Sequence, residues 1–202
     1  MENQYRYAVI GAGNGGKAMA AYLALLGVQT TLYNRTANRV EIIRLRGGID
    51  LESPTQPRGF GRLFKVTDNM EEALKDADII MVVLPSTAHA DIAKVAAPYL
   101  RDDHIVVLNP GRTGGALEFC HTLEQENCTT KPIVSEAETF IFASRSEGPS
   151  QARIFRIKEA VPLAALPSKR TAEVLDAIHP VFPQFIDGKN VLQTGLNNMG
   201  AI

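Results

Sequence analysis

Three glycines near the start of the chain, Gly11, Gly13 and Gly16, have the type and spacing that hold a pyrophosphate. They sit in Gly11-Ala12-Gly13-Asn14-Gly15-Gly16. Gly11 allows a tight turn out of a strand. Gly13 has no side chain, so phosphate can approach the backbone. Gly16 lets the following helix lie close against the strand. The free N–H groups at the start of that helix, and its dipole, favour negative charge there. The spacing by itself is a weak signal. Here it follows an apolar run, residues 5–10, and precedes an Ala/Leu-rich stretch, residues 17–26, which is the strand–turn–helix context that dinucleotide binding needs. The competing reading is a glycine-rich turn used only for packing.

The end of the next β-rich run, residues 28–33, carries Asn34-Arg35-Thr36. An NAD site usually has Asp or Glu there, about 20 residues past the glycines, to accept from the ribose 2′-OH. A carboxylate would repel a 2′-phosphate; the Asn34 amide does not. Arg35 can donate to phosphate in a fork and stack on adenine, and Thr36 can donate its hydroxyl. Arg39 lies one helical turn past Arg35. These residues predict NADP in preference to NAD. The plainer alternative has Thr36 capping the next helix and Arg35 in solvent.

Two later turns lie where ligands bind in open α/β sheets, at the C-terminal ends of strands. One runs from Leu84 and Pro85 to His89. The other is Asn109-Pro110-Gly111 with Gly114 and Gly115. Asn109 can donate an amide to a carboxamide or carboxylate, the glycines permit close approach, and Pro85 and Pro110 stiffen the turns. Ordinary loop punctuation is the alternative, and for Pro85 alone the better one. Of the four histidines, His104, His121 and His179 read as structural or solvated, and His89, starting a helix at the ligand edge, is the one candidate acid. No Ser-His-Asp set, Cys-His pair or metal cluster is visible.

These groups need a scaffold that alternates strand and helix. Helix patterns cover residues 40–46 and 72–75, the latter behind a capping-box form at Asp68 to Glu71. Ile92, Val95, Ala96 and Tyr99 mark one helix face; Ala116, Phe119, Cys120 and Leu123 mark another; Val174, Leu175 and Ile178 mark the last before Pro180. Strands are predicted at 48–52, 61–67, 78–84, 104–108 and 131–135, with a hairpin of 139–145 and 152–157. The pattern predicts a Rossmann-type α/β fold, a doubly wound, mostly parallel sheet with right-handed crossovers.

Composition fits one such domain. The chain has 202 residues, 45% hydrophobic and 21% charged, with net charge −1. That gives no reason to expect nucleic acid or an anionic membrane as partner. No apolar run reaches the length of a membrane span, and no signal-peptide pattern precedes the first strand. Two cysteines, Cys120 and Cys128, offer neither ligand spacing nor a disulfide framework, so a reducing cytoplasmic setting is expected.

The glycine fingerprint, Asn109-Pro110-Gly111 followed by Thr113 to Glu118, Glu136 with Thr139, Ser144-Arg145, and Leu192 to Asn198 together resemble the opine dehydrogenases, the octopine and nopaline dehydrogenase family. The resemblance runs over essentially the whole chain. It implies reduction of the imine of an amino acid and a 2-oxo acid by hydride from a nicotinamide. It implies an N-terminal nucleotide domain, residues 1–188, and a helical substrate domain that residues 189–202 would lead into. The family's general-acid histidine would lie past Ile202, with Asn198 orienting substrate or that histidine. The chain then reads as a truncated, catalytically silent portion, with possible self-association through its final helix. The alternatives are a ketopantoate-reductase-like or 2-hydroxyacid dehydrogenase, and an NADP(H)-binding sensor without chemistry.

Overall fold

The computed structural model describes residues 5–197. In chain order the elements are β1 (Tyr7–Ile10), α1 (Asn14–Leu25), β2 (Thr30–Tyr33), α2 (Glu41–Arg46), β3 (Gly48–Glu52), β4 (Gly59–Arg62), β5 (Lys65–Thr67), α3 (Met70–Leu74), β6 (Ile79–Val82), α4 (His89–Ala96), β7 (Ile105–Leu108), α5 (Gly115–Gln125), β8 (Ile133–Ala137), β9 (Phe142–Gly148), β10 (Gln151–Ile157), β11 (Val161–Leu166), α6 (Thr171–Ile178), β12 (Phe185–Asp187) and α7 (Val191–Leu196). They form two compact units. One comprises residues 5–83 with Phe142–Lys158, and the other Leu84–Ile141 with residues 159–197. Helix α7 belongs to the second unit.

In the first unit β5, β2, β1 and β6 lie side by side, all parallel. Every residue of β1, β2 and β6 is buried, as strands covered on both faces require. Arg6 grips Asp78 through its backbone N–H, Nε and Nη2 at 2.8–3.1 Å, fixing the starts of β1 and β6 beside each other. Helix α1 is buried from Gly16 to Leu23. A helix apolar all round must be covered all round. A second sheet, ordered β4-β3-β10-β9, packs on it. Small residues make this possible: a Cβ on Gly61 would stand 2.7 Å from the Ala21 carbonyl oxygen. Tyr22 meets Phe142 with ring centroids 5.1 Å apart.

In the second unit β7 pairs parallel with β8, β8 antiparallel with β11, and β11 parallel with β12. The core here includes Phe119, Phe182 and Phe185, the last two in an edge-to-face contact at 5.9 Å. No helix among the described residues is long and apolar enough to cross a membrane.

Several local expectations shift. Helix α1 begins at Asn14, not Lys17. The cap of α3 is Asn69, whose Oδ1 accepts from Glu72 N–H, one residue later than the predicted box. Thr67 takes part too, its hydroxyl accepting from Asn69 N–H and donating to Glu72. Ile92 and Ala96 are buried, but Val95 and Tyr99 are exposed. The α-helix ends at Ala96 and tightens into a 3₁₀ turn at Ala97–Tyr99, so the apolar stripe does not continue.

Candidate functional site

The glycine turn has the geometry its spacing predicts. Gly11 has φ 110°, which favours glycine. A Cβ on Gly16 would collide with the Gly11 carbonyl, so helix and turn touch backbone to backbone. Gly13 differs. It is exposed, and a Cβ there would meet nothing within 4 Å. The space before α1 is open, and the N–H groups of Asn14 and Gly15 begin the helix there. A pyrophosphate fits this end of the helix.

Asn34 has a role the sequence does not announce. Its Oδ1 accepts from Ala12 N–H at 3.2 Å and its Nδ2 donates to the Thr36 carbonyl at 3.1 Å. The amide joins the fingerprint turn to the end of β2. Arg35, Thr36 and Arg39 are exposed beyond it. Thr36 stands at the cap position of a 3₁₀ turn, Ala37–Arg39, without a side-chain cap bond. Its hydroxyl is therefore not engaged in the capping role that competed with ligand binding.

The hairpin β9–β10 brings in residues that sequence reasoning missed as a group. Asn14 Oδ1 accepts from Ser146 N–H at 2.9 Å. Lys17 Nζ donates to Ser146 Oγ and to the Gly148 carbonyl, both at 2.9 Å. Lys17 is buried, and burial first and Arg39 second pull its pKa below the ordinary lysine value. The signal in the sequence was slight: one lysine in the first turn of an otherwise apolar helix.

The second unit holds the other expected residues. Pro85 is exposed and precedes a 3₁₀ turn, Ser86–Ala88. Asn109 does not present its amide to solvent; it is buried, and Nδ2 donates to the Val107 carbonyl at 2.9 Å. Pro110 is half-buried. Gly111 is needed for packing, because a Cβ would collide with the Glu136 side chain. Glu136 itself is wholly buried. Its Oε2 accepts from Ala116 N–H and its Oε1 pairs with Thr194 Oγ1, each at 2.8 Å. Burial pushes its pKa up, against the opposing effect of those two bonds. Asn198 lies outside the described residues.

His89 is also wholly enclosed, and neither ring nitrogen has a well-formed hydrogen bond. Burial holds its pKa down at about 4, with the Leu84 carbonyl opposing only in part. It is a neutral core side chain, not an acid at a ligand edge. His104 is buried and its Nδ1 accepts from Arg101 N–H. His121 pairs with Gln125, and His179 with the Phe185 carbonyl. Burial pushes the Cys120 thiol up to about 11, which removes it as a nucleophile. No group of three metal-ligating side chains occurs among the described residues.

Residues 6–134 match the family model of the NAD-dependent glycerol-3-phosphate dehydrogenase N-terminus. The chain is similar to an opine dehydrogenase from Arthrobacter sp. (strain 1C), 40% identical over 97% of this chain and 54% of that protein. It thus spans about half the length of that relative. Among solved structures it resembles octopine dehydrogenase in complex with NADH and L-arginine, at TM-score 0.81 and 18% identity, over 96% of this chain and 51% of that one. Yersinopine dehydrogenase with NADP+ bound gives 0.77 and 16%, over 95% and 49%. The fold is the mixed α/β, Rossmann-type, mostly parallel one that the sequence predicts, and the resemblance to opine dehydrogenases carried by the motifs is borne out.

Proposed function

The chain belongs to the family of the NAD-dependent glycerol-3-phosphate dehydrogenase N-terminus, and from that premise we propose that it is the NADP(H)-binding portion of an opine dehydrogenase. Such an enzyme reduces the imine of an amino acid and a 2-oxo acid. The observation that carries this reading is the 40% identity to an opine dehydrogenase over 97% of the chain, well past residue 134 where the family match ends.

The open space at Gly13 and the start of α1 suit a nicotinamide dinucleotide. The cofactor supplies the hydride when bound. The backbone of Gly11, Gly13, Asn14, Gly15 and Gly16 would hold its pyrophosphate. Arg35, Thr36 and Arg39 would meet a 2′-phosphate, while Asn34 keeps the turn in register and adds no charge. That set supports NADP over NAD. Pro85, Pro110 and Gly111 remain cofactor-side residues through their backbone, and Asn109 acts by holding its turn. Each described histidine is either enclosed or engaged with its own neighbours. We therefore assign the proton donor to a group beyond residue 202, reached through residues 189–202 and a helical substrate domain, with Asn198 orienting substrate or donor. The 202 residues alone would then bind cofactor without turnover. Leu192 and Leu196, exposed at 59% and 73% on α7, offer a surface for self-association. Two free cysteines suit a cytoplasmic setting.

Calorimetric titration with NADPH and NADH tests the binding half. NADPH is expected to bind more tightly; equal affinities remove the preference, and no binding of either removes the dinucleotide reading. The full-length protein tests the chemistry, by NADPH oxidation with a 2-oxo acid and a panel of amino acids. Turnover of glycerol 3-phosphate instead would place the protein with the other branch of its family. Binding without any turnover would make it a sensor. Steady imine reduction by residues 1–202 alone would overturn the placement of the donor.

A further inference from the structure

Glu136 is a wholly buried carboxyl at a junction of three segments. Its Oε2 accepts from the N–H of Ala116 in the first turn of α5, and its Oε1 lies 2.8 Å from Thr194 Oγ1 on α7. Gly111 makes the room, and Gly115 and Gly195 lie in van der Waals range of it. A Cβ on Gly111 would collide with its side chain, one on Gly115 would stand 3.5 Å from its Oε2, and one on Gly195 3.4 Å from its Oε1. Helix α7 in turn walls a recess of about 120 Å³ that Glu138, Asp187 and Lys189 also line.

The hydrogen-bond count around Thr194 is informative. The hydroxyl has one proton and two oxygens within reach, Glu136 Oε1 at 2.8 Å and the Val191 carbonyl at 3.3 Å. With Glu136 ionised, one proton must serve both. With Glu136 protonated, the acid donates to Thr194 Oγ1 and the hydroxyl donates on to Val191, so each group is served. Among the described residues, burial is the largest influence on the carboxyl, and what opposes it is its two hydrogen bonds rather than a cation. The groups packed around it are His89 from α4, itself neutral, and Arg112 from the loop whose carbonyl oxygen lies beside Gly195. Strands β7 and β11 and helix α7 bring no titratable side chain, and Glu118 on α5 is exposed. A lone carboxylate in such a place is costly, and burial favours the neutral acid.

We propose that Glu136 is a positioning residue that works as a neutral carboxylic acid, fastening α7 to the start of α5 through a proton shared with Thr194. It sets the direction of α7 as far as Asn197. The reading of that direction as the path to the substrate side rests on the function proposed above; the fastening itself does not. Ionisation of Glu136 at alkaline pH leaves one proton for two acceptors and loosens α7.

The test uses difference infrared spectroscopy and amide hydrogen exchange on the whole chain. At neutral pH a protonated-carboxyl carbonyl band is expected, lost in Glu136→Gln. The Gln side chain keeps both contacts, its oxygen accepting from Ala116 and its NH₂ donating to Thr194, so protection of residues 191–196 should persist. Glu136→Ala should lower that protection roughly tenfold or more, the scale of one lost buried hydrogen bond. Where Glu136→Ala fails to fold, Thr194→Val should give the same loss, and Thr194→Ser should restore it. In the native chain, protection of 191–196 should fall toward alkaline pH, and in Glu136→Gln it should not. Absence of the band, or loosening of α7 by Gln as much as by Ala, overturns the proposal. Failure of NADPH or NADH to bind would overturn the preceding reading and leave the band and the exchange pattern unchanged.

Discussion

Gly13 and Gly16 share one turn but tolerate side chains in opposite ways. Gly13 has ordinary backbone angles, φ −80° and ψ −164°, and open space where a Cβ would go. Gly13→Val should fold normally by far-UV circular dichroism and bind no dinucleotide, because the branched side chain fills the pyrophosphate position. Gly16→Ala should instead lose stability by about 1–3 kcal/mol or more in urea unfolding, since its methyl meets the Gly11 carbonyl. Loss of fold in the Gly13 variant would make that glycine a packing residue. At the cofactor's other end, Arg35→Ala should weaken NADPH by roughly 10- to 150-fold, the worth of a charge-assisted hydrogen bond, and leave NADH nearly unchanged. Asn34→Asp is a sharper probe. An Asp oxygen still accepts from Ala12 N–H, so the turn is kept, and the new charge should turn preference toward NADH. A titration in which that variant still favours NADPH would show that the cations, not the missing acid, decide.

Among the elements, those with a local signature were legible in the sequence. The buried runs of β1, β6 and β7 announce themselves by unbroken apolarity, and β9–β10 by two β-rich segments around a Gly-Pro turn. Elements that depend on distant partners were not. Strands β11 and β12 went unread: the first is an Ala- and Pro-containing run that pairs antiparallel with β8, the second has only three residues. The candidate site shows the same divide. The glycines declare themselves by spacing, whereas Asn34 bonding to Ala12, Asn109 turning inward, and Glu136 meeting Thr194 across 58 positions are tertiary facts. So is the seating of the hairpin on α1 by Lys17. Its ammonium holds Ser146 and Gly148 in a buried place. Lys17→Met keeps the length and apolar stem but removes the donors. Amide protection across 142–157 should fall roughly tenfold, corresponding to about 1–3 kcal/mol for acceptors left unserved. Unchanged protection would mean that apolar packing of α1 against the small sheet holds the hairpin without help.

At the scale of the whole molecule, two buried titratable groups in the second unit give folding stability a defined dependence on pH. His89 has a folded pKa of about 4 against 6.5 for an ordinary histidine. Between those values the unfolded chain binds more protons, so stability rises with pH and is complete above 6.5. Two and a half pH units at about 1.4 kcal/mol each make this on the order of 3 kcal/mol, lost as the solution is acidified toward pH 4. Glu136 acts in the opposite sense. Its folded pKa is raised above 4.5, so the folded chain holds the proton more firmly, and that contribution is full below 4.5 and lost as pH rises through the folded value. In the native chain the Glu136 slope opposes the His89 slope above pH 4.5, so the acid limb is shallower than His89 alone would give. A substitution separates them. His89→Leu keeps the site apolar and removes only the histidine slope. Urea unfolding of both proteins across pH 4 to 6.5 should show the native chain gaining on the variant by on the order of 3 kcal/mol toward the higher pH. A difference that stays flat over that range would mean that His89 is not held neutral by burial, and that the core around Gly115 admits its charge.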